Sequence, residues 1–145
     1  ARGHCMAWGG DSTRIYLSGQ SSGANVSALA LLHHDNSAGE ACAGFIGMSG
    51  PYDLVAHYKF ESDRGVEQVS MMSQACYPLD EHSPTLLVQG GAKLACHDVL
   101  LIHGERDFTV PVSSSAQFAL ELQRSGHVGQ VHLNALNRHG HMSFL

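Results

Sequence analysis

Positive charge is sparse in this sequence and gathers nowhere. Eight Lys and Arg stand against thirteen Asp and Glu, giving a formal net charge of -5. A nucleic-acid partner leaves a basic patch or stripe as its electrostatic footprint, so that class of partner is excluded. Cysteine is just as uninformative by pattern. Cys5, Cys42, Cys76 and Cys96 lie far apart, with no CxxC and no zinc spacing, which argues for reduced, mostly buried thiols rather than a structural metal or a redox pair. Long apolar runs are missing too: none reaches the roughly 18 residues of a membrane-crossing helix, and no leader pattern of basic, apolar and small residues opens the chain. The chain as given is expected to be soluble, without a membrane span. It has no initiating Met, and Ala1 to Trp8 reads as the tail of a helix closed by Gly9 and Gly10, so its N-terminal end is expected to be a cut.

What is present fits one packed domain. Hydrophobic residues make up 43% of the 145 and charged residues 14%, the balance of a globular chain with a large buried fraction. Eleven histidines are many for this length. His33, His34 and Asp35 invite a metal reading, but adjacent residues leave a helix end on different sides and no second pair sits at i, i+4. A solvated helix terminus accounts for them more simply.

The sequence is organised around residues 14–32, where the apolar run Arg14-Ile15-Tyr16-Leu17-Ser18 meets Gly19-Gln20-Ser21-Ser22-Gly23 and then an alanine- and leucine-rich run. Strand, GxSxG and helix in succession describe a nucleophile elbow, a turn tight enough to hold its central serine strained and exposed. Ser21 is that serine. A Cβ at Gly19 or at Gly23 is expected to collide with the returning strand or helix. Ser22 opens the helix, and its backbone N–H is the candidate oxyanion donor.

Further on, Ala24 to Leu32 is apolar on nearly every side, which predicts a helix buried beneath the site. Gly44 to Ser49 is a second strand, and Gly50-Pro51-Tyr52-Asp53 turns the chain away. The stretch from Gly50 to Asp98 is too long for a plain loop and is expected to be a cap insert, with helices at Leu54–Phe60 and Val66–Met72. Its Tyr58, Phe60, Met71, Met72 and Tyr77 serve an apolar substrate pocket or simply fill the core. Val99 to His103, an uninterrupted apolar run, predicts a parallel strand covered on both faces. Pro111 starts a helix on which Val112, Ala116, Ala119 and Leu120 keep the period until Gly126. Val128 to Leu136 is the last strand.

This alternation gives an α/β fold with a parallel sheet, its functional groups outside the carboxyl ends of the strands. Ser21, Asp107 and His141 all fall at such ends, in the order nucleophile, acid, histidine. Glu105 rivals Asp107 by position. His139 rivals His141, which is preferred for Gly140 before it and Phe144 after it.

With Gly19-Gln20-Ser21-Ser22-Gly23, His103-Gly104-Glu105-Arg106-Asp107, Val110-Pro111 and Gly140-His141, the chain resembles the C-terminal part of an α/β-hydrolase. Gly50-Pro51-Tyr52-Asp53, His57-Tyr58, Phe60-Glu61, Arg64-Gly65 and Ser83-Pro84 narrow the resemblance to the isoprenylcysteine methylesterase-like carboxylesterases; hormone-sensitive lipases and arylformamidases share the three site positions. The resemblance covers nearly the whole chain. It implies a partial hydrolase domain over 1–145, holding sheet strands 5 to 8 with flanking helices and a cap at 50–98, while the first four strands and an HGG-type oxyanion loop would lie upstream of Ala1.

The implied activity is a serine carboxylic-ester hydrolase with Ser21, His141 and Asp107 as its triad and Ser22 N–H in the oxyanion hole. No cofactor or metal is implied, and the substrate would be a small or lipid-like ester, with a prenyl-like group as one option. Resemblance also allows a longer parent to associate with endoplasmic reticulum or Golgi membranes. Two alternatives stay open: a catalytically inactive remnant that binds a ligand or partner, and an arylformamidase, lipase-like or prolyl-oligopeptidase-type member of the superfamily. The 145-residue chain by itself is expected to be inactive.

Overall fold

A computed structural model describes residues 2–34 and 41–143. Four strands, β1 (Tyr16–Gln20), β2 (Cys42–Met48), β3 (Cys96–Gly104) and β4 (Gln130–Leu136), form one sheet in the order β1-β2-β3-β4, every pair parallel. Parallel neighbours need crossover connections, and helices supply them. The helices are α1 (Arg2–Cys5), α2 (Ser22–Leu32), α3 (Leu54–Ser62), α4 (Met72–Ala75), α5 (Pro84–Gln89) and α6 (Val112–Ser125). A 3-10 turn, Met6–Trp8, follows α1 and ends at Gly9, whose φ of 74° suits a residue without Cβ.

The register places Leu17, Phe45, Val99 and Val131 in one row across the sheet. With Leu101 and Leu133 they pack beneath α2, α5 and α6, whose Ala24, Ala28, Leu31, Val88, Phe118 and Leu122 join the core. Tyr52 joins them from the turn after β2, its ring stacked on Phe118 at 4.4 Å and edge-on to Phe45. Fully burying an aromatic ring of this size contributes on the order of 2–3 kcal/mol. The Tyr52 hydroxyl has no hydrogen-bond partner among the described residues, and burial pushes its pKa far up.

That turn is tied down by polar groups. Asn25 of α2 donates to the Pro51 carbonyl at 2.9 Å, Ser114 accepts from the Tyr52 amide at 2.8 Å, and Ser83 accepts from the Leu54 amide at 2.8 Å. Asp53 caps α3 by accepting from the Ala56 amide at 2.9 Å. The Gly50-Pro51-Tyr52-Asp53 motif thus fixes where α3 leaves the sheet.

Several local expectations are corrected. No helix forms over Val66–Met72; turns occupy residues 67–69, and α4 begins only at Met72. Nor is α2 buried all round, since Val26 is 62% exposed while Ala24 and Ala28 are fully covered; without strong side-chain polarity, packing alone decides which side faces in. The buried residues of α6 are Ser115, Phe118, Ala119, Glu121 and Leu122, whereas Ala116 and Leu120 are exposed. The helices packed on the sheet share one face through α5. On the opposite face Ile46 and Leu100 are only half-buried, so the apolar run of β3 is not covered on both sides by the described residues. Phe144 and Asp35 lie outside those residues. Among them no helix is long and apolar enough to cross a membrane.

Candidate active site

The strand runs on into the motif: Gly19 and Gln20 belong to β1, paired with Gly47 and Met48, and the Ser21 amide donates to the Met48 carbonyl at 2.8 Å. Ser21 then turns the chain with φ 54° and ψ -125°, and α2 starts at the next residue. Such a backbone costs on the order of 1–3 kcal/mol, and it persists because the strand and helix on either side over-determine it. A Cβ on Gly19 would drive into the Gly23 carbonyl and the Ala24 amide. Gly23 differs from expectation: a Cβ there meets nothing within 4 Å. The crossing needs only one of the two glycines to lack a side chain, and that one is Gly19.

Two loops bring the other groups to Ser21. After β3, Glu105 and Arg106 donate backbone N–H groups to Leu136 and His139 at 3.0 Å each, zipping this loop to the one after β4. A Cβ on Gly104 would strike the His139 carbonyl, so the close approach requires glycine there. In the result, His141 Nδ1 lies 2.7 Å from Asp107 Oδ2, and His141 Nε2 lies 2.9 Å from Ser21 Oγ. With the carboxylate accepting from Nδ1–H, Nε2 is left as an acceptor for the serine hydroxyl.

Asp107 is 7% exposed and well supplied with donors. Its Oδ1 accepts from the Thr109 and Val110 amides at 2.9 Å each. Burial raises the pKa of this carboxyl, but the Val110 amide, the His141 ring and the Thr109 amide outweigh it, and the net shift is downward. The group stays ionised at neutral pH.

The rivals fall outside this arrangement. Glu105 is exposed, and the exposed His139 ring lies 2.8 Å from the Asn137 carbonyl. His33 caps α2 through its backbone, and no group of three metal-ligating side chains occurs among the described residues.

Two partners were not assigned roles from the sequence. Gln20 donates to the His141 carbonyl at 3.0 Å, tying the histidine loop to the elbow. His103, fully buried, donates Nε2–H to the Val110 carbonyl at 2.9 Å and accepts from Ser115 Oγ at 2.7 Å. Burial lowers its pKa, offset in part by the Val110 carbonyl and Asp107. The available signal was a histidine at the end of an apolar strand, where an interior polar group demands buried partners.

A cavity of about 270 Å³ opens beside Ser21, bounded by His57, Glu61, Val66, Val69 and Met72 among others. Of the large side chains expected to line it, only Met72 does; Phe60 lines a neighbouring cavity, and Tyr58, Met71 and Tyr77 are exposed.

Comparison with known proteins bears on the family and the fold. The chain is 31% identical to a probable isoprenylcysteine alpha-carbonyl methylesterase of Oryza sativa subsp. japonica, over 83% of this chain and 32% of that one. It therefore spans about a third of the curated relatives' length. Its fold matches an acylaminoacyl peptidase (TM-score 0.70, 20% identity, 96% of this chain, 21% of the other). It also matches the esterase Est2 of Thermogutta terrifontis (TM-score 0.66, 19% identity, 99% and 51%). The sequence profile of the prolyl oligopeptidase family matches residues 9–144, and the chain belongs to that family of α/β-hydrolases.

Proposed function

We propose that the chain carries the catalytic groups of a serine carboxylic-ester hydrolase, with Ser21 as nucleophile, His141 as general base and acid, and Asp107 as the group that orients the imidazole. The observation that carries this is the continuous chain of hydrogen bonds Ser21–His141–Asp107, at 2.9 and 2.7 Å, on a serine held at positive φ ahead of a helix. His141 Nε2 takes the hydroxyl proton as Ser21 Oγ attacks the ester carbonyl. The developing oxyanion faces the first amides of α2, of which Ser22 N–H is the nearest in sequence. The imidazolium returns the proton to the leaving alcohol. Water, activated by the same imidazole, then releases the acid. Asp107 keeps Nδ1 protonated and stabilises the imidazolium without taking its proton.

An ester is favoured over a peptide by the curated relative, named as a methylesterase. The peptidase reading keeps support from the family profile and from the acylaminoacyl peptidase fold. Fluorophosphonate labelling of a version extended upstream, followed by turnover of matched p-nitrophenyl ester and peptide p-nitroanilide substrates, tests both. Labelling lost in Ser21→Ala and faster ester turnover are expected. Labelling that survives Ser21→Ala overturns the nucleophile, and faster anilide turnover overturns the ester. A protein that neither labels nor turns over either substrate is an inactive remnant.

A further inference from the structure

Two buried atoms beside the nucleophile have no hydrogen-bond partner among the described residues: His57 Nδ1 and Glu61 Oε2. Their residues are 5% and 9% exposed, sit one turn apart on α3, and are joined by His57 Nε2 and Glu61 Oε1 at 3.2 Å. Both line the cavity that Ser21 also lines. Burial lowers the His57 pKa, with Glu61 offsetting part of the effect, so the ring is neutral at pH 7. Its proton belongs on Nε2, facing the carboxylate, which leaves Nδ1 as an acceptor. The pair therefore offers two vacant acceptors and no donor.

A buried acceptor left unmade is costly, and native proteins keep few of them. What would satisfy this pair is constrained by the rest of the cavity. Pro51, Val66, Val69 and Met72 supply apolar wall, and no Lys or Arg among the described residues lines it. The carboxylate thus meets no cation among the described residues, and a group bringing N–H donors, above all a positively charged one, complements it.

Resting on the hydrolase reading of Ser21, we infer that Glu61 and His57 form a recognition subsite for a nitrogen donor of the substrate, held in the same cavity as the scissile acyl group. Such a contact selects strongly, because a ligand lacking the donor leaves both acceptors buried and unpaired. Neither residue takes part in proton transfer to the ester. Their role is specificity.

The test is binding rather than turnover, so its outcome is separate from that of the hydrolase reading. Isothermal calorimetry on the Ser21→Ala protein compares 2-phenylethylammonium, its N-acetyl derivative and methyl 2-phenylethyl ether, which share a ring and differ in the donor. At least one nitrogen compound should bind about tenfold or more tighter than the ether. Glu61→Gln keeps an acceptor but removes the charge. It should abolish the advantage of the ammonium while sparing that of the amide, and the pattern tells which nitrogen the subsite is built for. Equal affinity of all three for the Ser21→Ala protein, or no binding by either nitrogen compound at millimolar concentration, overturns the inference and leaves water as the partner of both atoms. Should Glu61→Gln fail to fold by circular dichroism, the three-ligand comparison decides alone.

Discussion

His103 Nε2 lies 3.3 Å from Asp107 Oδ2, the same carboxylate oxygen that meets His141 Nδ1 at 2.7 Å. One oxygen therefore faces two imidazoles. The two rings differ in freedom: His103 is wholly buried and held by Ser115 and Val110, whereas the His141 side chain is 13% exposed and borders Ser21. His103 is a fixed wall behind Asp107, and His141 is the ring to which the proposed mechanism gives the proton exchange.

In a version extended upstream, Asp107→Asn should leave a folded protein whose ester turnover is lowered on the order of 10⁴, through loss of the correct His141 tautomer. Glu105→Gln should change turnover by less than about twofold, since that side chain is exposed. Steady-state kinetics on both variants decides. A loss below tenfold for Asp107→Asn would move the role to Glu105.

Gly19→Ala and Gly23→Ala should separate sharply in urea unfolding. The first drives a methyl into backbone atoms of α2 and should cost at least about 1–3 kcal/mol. The second enters open space within a helix and should be neutral, or stabilising by up to about 1 kcal/mol. Equal midpoints would contradict the packing described at the elbow.

Acidification should destabilise the fold from pH 6.5 downward. Burial holds His57 and His103 below their usual 6.5, so the unfolded chain binds protons before the folded one does. Stability from these two rings is complete above pH 6.5 and declines as pH falls through their folded values. Asp107, held below 3.8 chiefly by the Val110 amide and His141 against the effect of burial, adds a further loss below pH 3.8. Urea midpoints between pH about 7.5 and about 5 should fall, and less so in His103→Gln. A flat profile would show that both rings accept protons within the fold.

The 145-residue chain should hydrolyse p-nitrophenyl acetate more slowly than a version extended upstream. Its sequence contains no His-Gly-Gly, the motif that the resemblance assigns to the remaining oxyanion donors. Each missing donor typically lowers turnover by about 10² to 10³. Equal rates per molecule would mean that Ser22 N–H and groups already present suffice.

Much of this site is local chemistry and therefore legible in sequence. The elbow depends on residues 19–23 and their immediate flanks, and the strands after it announce themselves by short apolar runs between turn residues. The order Ser21, Asp107, His141 follows from which residues come just after strand ends. What sequence could not supply is anything set by packing between distant segments. Gly23 shares a motif with Gly19, yet only the path of α2 decides that one methyl clashes and the other does not. Val66–Met72 has helical composition, but it forms turns against the cavity wall instead. In sequence, His57 lies within the expected helix Leu54–Phe60 and Glu61 just past it, and both count only as residues that carry the resemblance. Only the fold buries them beside Ser21, because the Gly50–Asp53 turn, anchored by Asn25 and Ser83, aims α3 across the ends of the strands. Sequence determined which groups exist and in what order. Tertiary structure decided which were desolvated together and which met donors, and that balance is what gives a buried acid, a neutral imidazole or an unpaired acceptor its chemistry.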